Sequence, residues 1–117
     1  MAMNILICGF GVFGRKHAEA WKKAAGDCKL LVADVNSEMR KAAVEAGCNA
    51  EDVGDFNDLI SRADIVDIVT TSESHFDLAK ASLSAGKPTL IEKPAVKSIE
   101  EAKFLKYTSE EIGVPVQ

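Results

Sequence analysis

A chain of 117 residues, 47% hydrophobic and 27% charged, is long enough for one domain with a proper core and short for two. Its net charge of −4 argues against a nucleic-acid partner, since neutralising phosphates needs a basic face. No uncharged apolar run approaches the roughly 18 residues of a membrane span, and the start lacks a signal peptide's basic and apolar regions, so no membrane partner is expected and the cytoplasm is the expected compartment.

Ile5 to Cys8 is a short apolar run of the kind that forms a buried parallel strand, and it feeds directly into Gly9-Phe10-Gly11-Val12-Phe13-Gly14. In this Gly-x-Gly-x-x-Gly pattern Gly9 makes the tight turn, Gly11 lets the backbone approach a pyrophosphate, and Gly14 lets the next helix pack closely on the strand. The helix would direct its N-terminal amides and the positive end of its dipole at the phosphates. That helix reads as Arg15 to Ala25, with Ala18, Trp21 and Ala25 at helical spacing and Gly26 as its stop. Trp21 is assigned to packing against the sheet, and His17 to a structural or surface role.

Lys29 to Asp34 is the second strand, ending on an acid. Asp34 falls about twenty residues beyond Gly14, where a doubly wound fold sets a carboxylate beside the adenosine ribose. Such a group accepts hydrogen bonds from the 2′ and 3′ hydroxyls and repels a 2′-phosphate, which favours NAD over NADP. Arg40 would complicate this preference if it folded back from the following helix. Asn36 or Ser37 caps that helix, Met39, Ala42, Ala43 and Ala46 form its inner face, and Gly47 stops it.

A short third strand over Asn49 to Val53 precedes a short helix capped by Asp55. Ile65 to Thr70, rich in β-branched residues, is the fourth strand. Asp67 stands out within it, and no chemistry is assigned to it. The polar stretch Thr70 to His75 follows on the sheet edge where open α/β sheets bind ligands. Phe76, Ala79 and Leu83 mark the next helix, and Pro88 to Ile91 the fifth strand, which closes on Glu92-Lys93-Pro94. Ser98 and Glu101 form a capping box for a last helix with Ile99, Ala102, Leu105 and Ile112 inward, and Val114 opens a sixth strand. Cys8, Cys28 and Cys48 are spaced for neither a disulfide framework nor a zinc site, so they are read as small buried hydrophobes and no metal is expected. The alternation predicts an α/β fold, a doubly wound parallel sheet of Rossmann type with strand order 3-2-1-4-5-6.

Gly9 to Gly14, Asp34, the Thr-rich loop ending in His75, and Ala85-Gly86-Lys87-Pro88 followed by Glu92-Lys93-Pro94 resemble, in this order, the N-terminal domain of the glucose-fructose oxidoreductase, inositol dehydrogenase and MocA (Gfo/Idh/MocA) family. The resemblance covers essentially the whole chain. It implies an NAD(P)-dependent oxidoreductase acting on sugars, nucleotide sugars or cyclitols. It also implies that Gly9, Phe10, Gly11, Val12, Phe13 and Gly14 hold the pyrophosphate, and that Asp34, with Val35 and Asn36, meets the adenosine ribose. Thr70, Thr71 and Ser72 would line the cofactor pocket with His75 nearby, although the family often has Pro and Asn where Thr71 and Ser72 stand. Glu92 and Lys93 would lie near the nicotinamide ribose, with Lys93 as the catalytic residue reaching the substrate hydroxyl. A lysine near the reacting oxygen can polarise it or relay its proton as hydride leaves. A Lys93–Pro94 bond in the cis form would aim Lys93 into the cleft.

Residues 1–117 are thus expected to form one dinucleotide-binding domain, with the family's C-terminal substrate domain absent. By this reading the chain binds NAD, meets an alcohol or sugar substrate only with a second domain, and is inactive alone. It would be either the cofactor domain of an oxidoreductase, or a stand-alone nucleotide-binding module or cofactor half of a split enzyme. An exposed sheet edge would leave a homo-oligomer open to it.

Overall fold

In the computed structural model, residues 3–51 and 56–117 are described. The chain order is β1 (Asn4–Cys8), α1 (Val12–Ala24), β2 (Lys29–Ala33), α2 (Ser37–Glu45), β3 (Asn49–Glu51), α3 (Phe56–Ser61), β4 (Ile65–Ile68), α4 (Ser72–Ser84), β5 (Thr89–Ile91) and α5 (Ile99–Ile112). The five strands form one sheet in the order β3-β2-β1-β4-β5, every pair parallel. The expected sixth position is started: Val116 pairs in parallel with Thr89 as an isolated bridge. Gln117 N–H donates to the Thr89 carbonyl and Ile91 N–H to the Gln117 carbonyl, at 3.0 and 2.8 Å. The proposed ends of the third strand at Val53 and of the next helix at Asp55 lie outside the described residues.

Helices cover both faces of the sheet, which is why the inner strands have no polar side to show. Alternate residues of β1 separate into two cores, since successive side chains of a strand point to opposite faces. Ile5 and Ile7 join Leu30, Val32, Ala18 of α1 and Ala43 of α2, with Met39, Ala42 and Ala46 packed against them. Leu6 and Cys8 join Val66, Ile68, Leu59, Leu83 and Leu105 on the other face. The inner face read for α2 is therefore the one that packs. Cys8 and Cys48 are buried and all three thiols are free; burial, with the Asp67 charge, pushes the Cys8 thiol far above its usual range.

Two helix expectations need correction. α1 begins at Val12, three residues earlier than read, because Gly11 itself is the N-cap and its carbonyl already accepts the Arg15 N–H at 3.0 Å. In α5 only Leu105 of the four expected inward residues is buried, while Ile99 is 70% exposed. Ile99 is the first residue of α5, where the helix has only begun, and its apolar character does not report burial. The capping box forms by half: Ser98 Oγ accepts the Glu101 N–H, but the Glu101 carboxylate takes the N–H of Lys97 rather than that of Ser98.

Candidate dinucleotide site

The chain builds outward from β1 in one direction through β2 and β3, then in the other through β4 and β5, so the loops after β1 and β4 diverge. A crevice opens at such a reversal, beyond the C-terminal ends of the strands. Here it is a cavity of about 700 Å³ lined by Gly9 to Phe13, by Ala33 to Asn36 and Met39, and by Val69, Thr70, Thr71, Ser74 and Leu78.

The glycines of the turn divide their work as the pattern implies. Gly9 has φ +98°, a region only glycine enters freely, and a Cβ there would meet the Val69 carbonyl oxygen at 2.9 Å. A Cβ on Gly14 would lie 2.2 Å from the Gly9 carbonyl oxygen, so strand and helix touch through bare backbone. Around Gly11 the situation is reversed: nothing lies within 4 Å of its Cβ position, and the residue lines the crevice. α1 has neither a side-chain cap nor an acid in its first turn. Its leading N–H groups are left to point outward, an arrangement that suits an anion. This cradle fits a dinucleotide pyrophosphate.

Asp34 fastens the second wall. Its Oδ2 accepts the Phe10 N–H and its Oδ1 the Asn36 N–H, each at 2.8 Å. A carboxylate oxygen has lone-pair capacity for a second donor, so ribose hydroxyls can still be accepted. Asn36, not Ser37, is the cap of α2, accepting the Glu38 N–H at 2.9 Å. Arg40 does fold back: its Nη1 donates to the carbonyls of Asp34 and Val35 at 2.9 and 3.0 Å.

Beyond β4 the polar stretch is shorter as a loop than expected, because α4 already begins at Ser72. Thr70 and Thr71 line the crevice; Ser72 and His75 do not. His75 is buried behind that wall, with Nε2 2.9 Å from the Thr70 carbonyl and Nδ1 2.9 Å from that of Pro94. It ties the loop after β4 to the turn after β5. Ser74, which the sequence did not single out, takes a wall position and donates its hydroxyl to Thr70 Oγ1 at 2.7 Å. Met39, Val69 and Leu78 supply apolar lining that the pattern could not announce.

Glu92 and Lys93 also stand outside the lining. Lys93 is exposed, and its bond to Pro94 is cis. Glu92 turns toward α1, where His17 brings two carboxylates together. His17 Nδ1 is 2.7 Å from Asp67 Oδ2, and Nε2 is 2.7 Å from Glu92 Oε2. Trp21 Nε1–H donates to the same Asp67 oxygen at 2.8 Å. Asp67 is fully buried in β4, and its Oδ1 has no partner among the described residues. Ionised carboxylates only accept, so both contacts are made together by the imidazolium. Burial opposes that charge, but the hydrogen bonds and charges of Asp67 and Glu92 outweigh it and raise the His17 pKa. Glu92 is held below its usual range, first by the Lys93 N–H and then by His17.

The pH consequence follows from those directions. The His17 contribution is complete below its unfolded value near 6.5 and is lost as pH rises through the raised folded value. The Glu92 contribution is present above 4.5 and is lost as pH falls through the lowered one. The stability gap between the wild type and His17→Gln, measured by urea unfolding, should therefore be widest near pH 6 and shrink toward pH 9. A gap independent of pH would contradict the imidazolium assignment.

A glycine turn under a helix, an acid closing β2 and a crevice at the sheet's reversal define a dinucleotide-binding domain of Rossmann type. The sequence matches the model of the Gfo/Idh/MocA family, described as an oxidoreductase family with an NAD-binding Rossmann fold, over residues 3–117, and the chain belongs to that family. It is 33% identical over 107 residues to an inositol 2-dehydrogenase from Azotobacter vinelandii, covering 88% of this chain and 32% of that protein. It is 37% identical over 103 residues to a UDP-N-acetylglucosamine 3-dehydrogenase from Acidithiobacillus ferrooxidans, again covering 88% and 32%. Among solved structures it superposes, with a TM-score of 0.87 and 26% identity, on an Agrobacterium radiobacter oxidoreductase in complex with NAD+, L-tartaric acid and magnesium, covering 99% of this chain and 34% of that one. The chain spans about a third of the length of the curated relatives it matches. Among the described residues no helix is long and apolar enough to cross a membrane, and no cluster of His, Cys, Asp or Glu could hold a metal ion.

Proposed function

We propose that this chain is the NAD(H)-binding domain of an oxidoreductase that moves a hydride between nicotinamide and a secondary alcohol of a sugar, cyclitol or nucleotide sugar. The observation that carries the reading is the glycine turn: Gly9 and Gly14 are closed by backbone, while Gly11 opens onto the crevice. When bound, the nicotinamide supplies the hydride acceptor. The chain's own part is to hold the pyrophosphate on the amides of Gly11 to Gly14, and the adenosine ribose on Asp34 with Val35 and Asn36 beside it. Thr70 and Thr71 complete the pocket, backed by Ser72 and His75. NAD is preferred to NADP because the Asp34 carboxylate would face a 2′-phosphate.

Lys93 serves as the group that polarises the substrate hydroxyl or takes its proton. Its exposure supports a second surface, from a longer polypeptide or a separate subunit, enclosing substrate opposite it; the relatives named above are about three times as long. Three free thiols suit a reducing compartment, and the cytoplasm is the proposed location.

Gly11→Ala tests the cradle. A methyl there meets no protein atom, so the thermal midpoint should fall by at most a few degrees, the cost of alanine at an N-cap. NADH affinity should fall about tenfold or more, the scale of one lost close hydrogen-bonding approach. Unchanged NADH binding in a folded Gly11→Ala protein would remove the pyrophosphate from this turn.

A further inference from the structure

The Asp67–His17–Glu92 ladder lies outside the dinucleotide crevice, and its contribution to stability does not explain why it ends at the Lys93 amide. His17 and Trp21, four residues apart on α1, share a face and both meet one oxygen of Asp67. A carboxylate fully buried in an inner strand needs partners, and apolar side chains of similar volume commonly serve the fold as well or better. The ladder's other end is more informative. Both oxygens of Glu92 are engaged, Oε2 by His17 and Oε1 by the N–H of Lys93 at 3.0 Å. A line of hydrogen bonds therefore runs from the centre of the sheet to the backbone of the residue assigned to the substrate.

We propose that His17 is the positioning residue of the Glu92-Lys93 turn: by bonding Asp67 and Glu92 at once it fixes the carboxylate that holds the Lys93 amide, and so sets the point from which the Lys93 side chain reaches. The role assigned to Lys93 rests on the function proposed above. The two joints of the ladder are unequal. Asp67 is fully buried, out of reach of bulk solvent, whereas the Glu92 side chain is 27% exposed and reaches it. When the imidazolium gives up one proton, the remaining N–H stays with Asp67 and Glu92 is released. The order of the Lys93 turn then follows the protonation of His17. Among the described residues, the charged groups that act on His17 are Asp67 on β4 and Glu92 beyond β5, with Lys93 adjoining Glu92. The Cys8 thiol near Asp67 stays protonated throughout, and Trp21 carries no charge.

The test is a pH titration of the 15N-labelled chain by NMR, reading the His17 ring nitrogens and the Lys93 amide without cofactor. Both ring nitrogens should carry protons below pH 6.5, and the Lys93 amide shift should inflect at the His17 midpoint. Glu92→Gln, at a partly exposed site that folding tolerates, should lower the His17 midpoint and abolish the Lys93 inflection; His17→Gln should abolish it too. A Lys93 amide that shows no inflection at the His17 midpoint, or one that keeps it in Glu92→Gln, overturns the proposal. NADH added afterwards is read at the Gly11 amide. A flat Lys93 profile with a shifted Gly11 amide defeats the ladder alone, and a titrating ladder with an unmoved Gly11 amide defeats the dinucleotide reading alone.

Discussion

Gly14→Ala should lower the thermal midpoint by about 10 °C or more. The new Cβ would stand 2.2 Å from the Gly9 carbonyl oxygen and 2.9 Å from its carbon, and neither can swing aside as a side-chain tip could. Relief requires α1 to lift from β1. That would open the contact of Ala18 with Ile5 and Ile7 and strain the Phe10 N–H bond to Asp34. Overpacking of this kind costs about 3 kcal/mol where backbone must move. The contrast with Gly11→Ala makes the prediction informative, because the same methyl three residues earlier should leave the fold intact and weaken ligand binding. Differential scanning calorimetry of the two variants checks it; equal midpoints would mean that strand and helix are not in the contact described.

Asp34→Ala should weaken NADH binding about 10- to 100-fold, the range for losing hydrogen bonds to a charged group, and leave NADPH binding unchanged or tighter. Two effects combine. The carboxylate organises the site itself, since it joins the Phe10 amide of the glycine turn to the Asn36 amide after β2. In the proposed binding mode it would also confront the 2′ position, where a hydroxyl is an acceptable donor and a phosphate is a second negative charge. Asp34→Asn separates these contributions by keeping one oxygen acceptor while removing the charge. It should retain part of the NADH affinity and lose most of the discrimination. Arg40, whose guanidinium folds back onto the Asp34 and Val35 carbonyls, lies close enough to make the NADPH measurement a demanding one. Discrimination that survives in both variants would move its source away from Asp34.

The parts of this molecule visible in sequence are those with local causes. β1 and β4 announce themselves because burial on both faces leaves a nearly continuous apolar run, and Gly14 and Asp34 because a close-packed glycine and an acid closing β2 stand at fixed distances from the turn. The start of α1 was misplaced because a glycine N-cap carries no side-chain signal. Ile99 misled for the opposite reason, being an apolar residue at helical spacing that is nonetheless exposed. His17 and Asp67 show the harder case. One looked like a surface histidine and the other like a flaw in a strand, because the partners of His17 lie 50 and 75 residues away in sequence. The faint clue was helical: His17 and Trp21, both hydrogen-bond donors, at a spacing of four on the face turned to a strand carrying an acid. Only the packing of α1 across β4 and the end of β5 joins His17, Asp67 and Glu92 into one ladder.

The central claim is that the crevice between the loops after β1, β2 and β4 binds a dinucleotide through the glycine turn and selects it by Asp34. Parallel fluorescence titrations of NADH and NADPH into this chain, in one buffer of fixed ionic strength, test it most directly. Saturable NADH binding in the micromolar-to-millimolar range, tighter than that of NADPH, is the predicted result. No saturation with NADH, or NADPH binding as tightly or more so, would contradict the account.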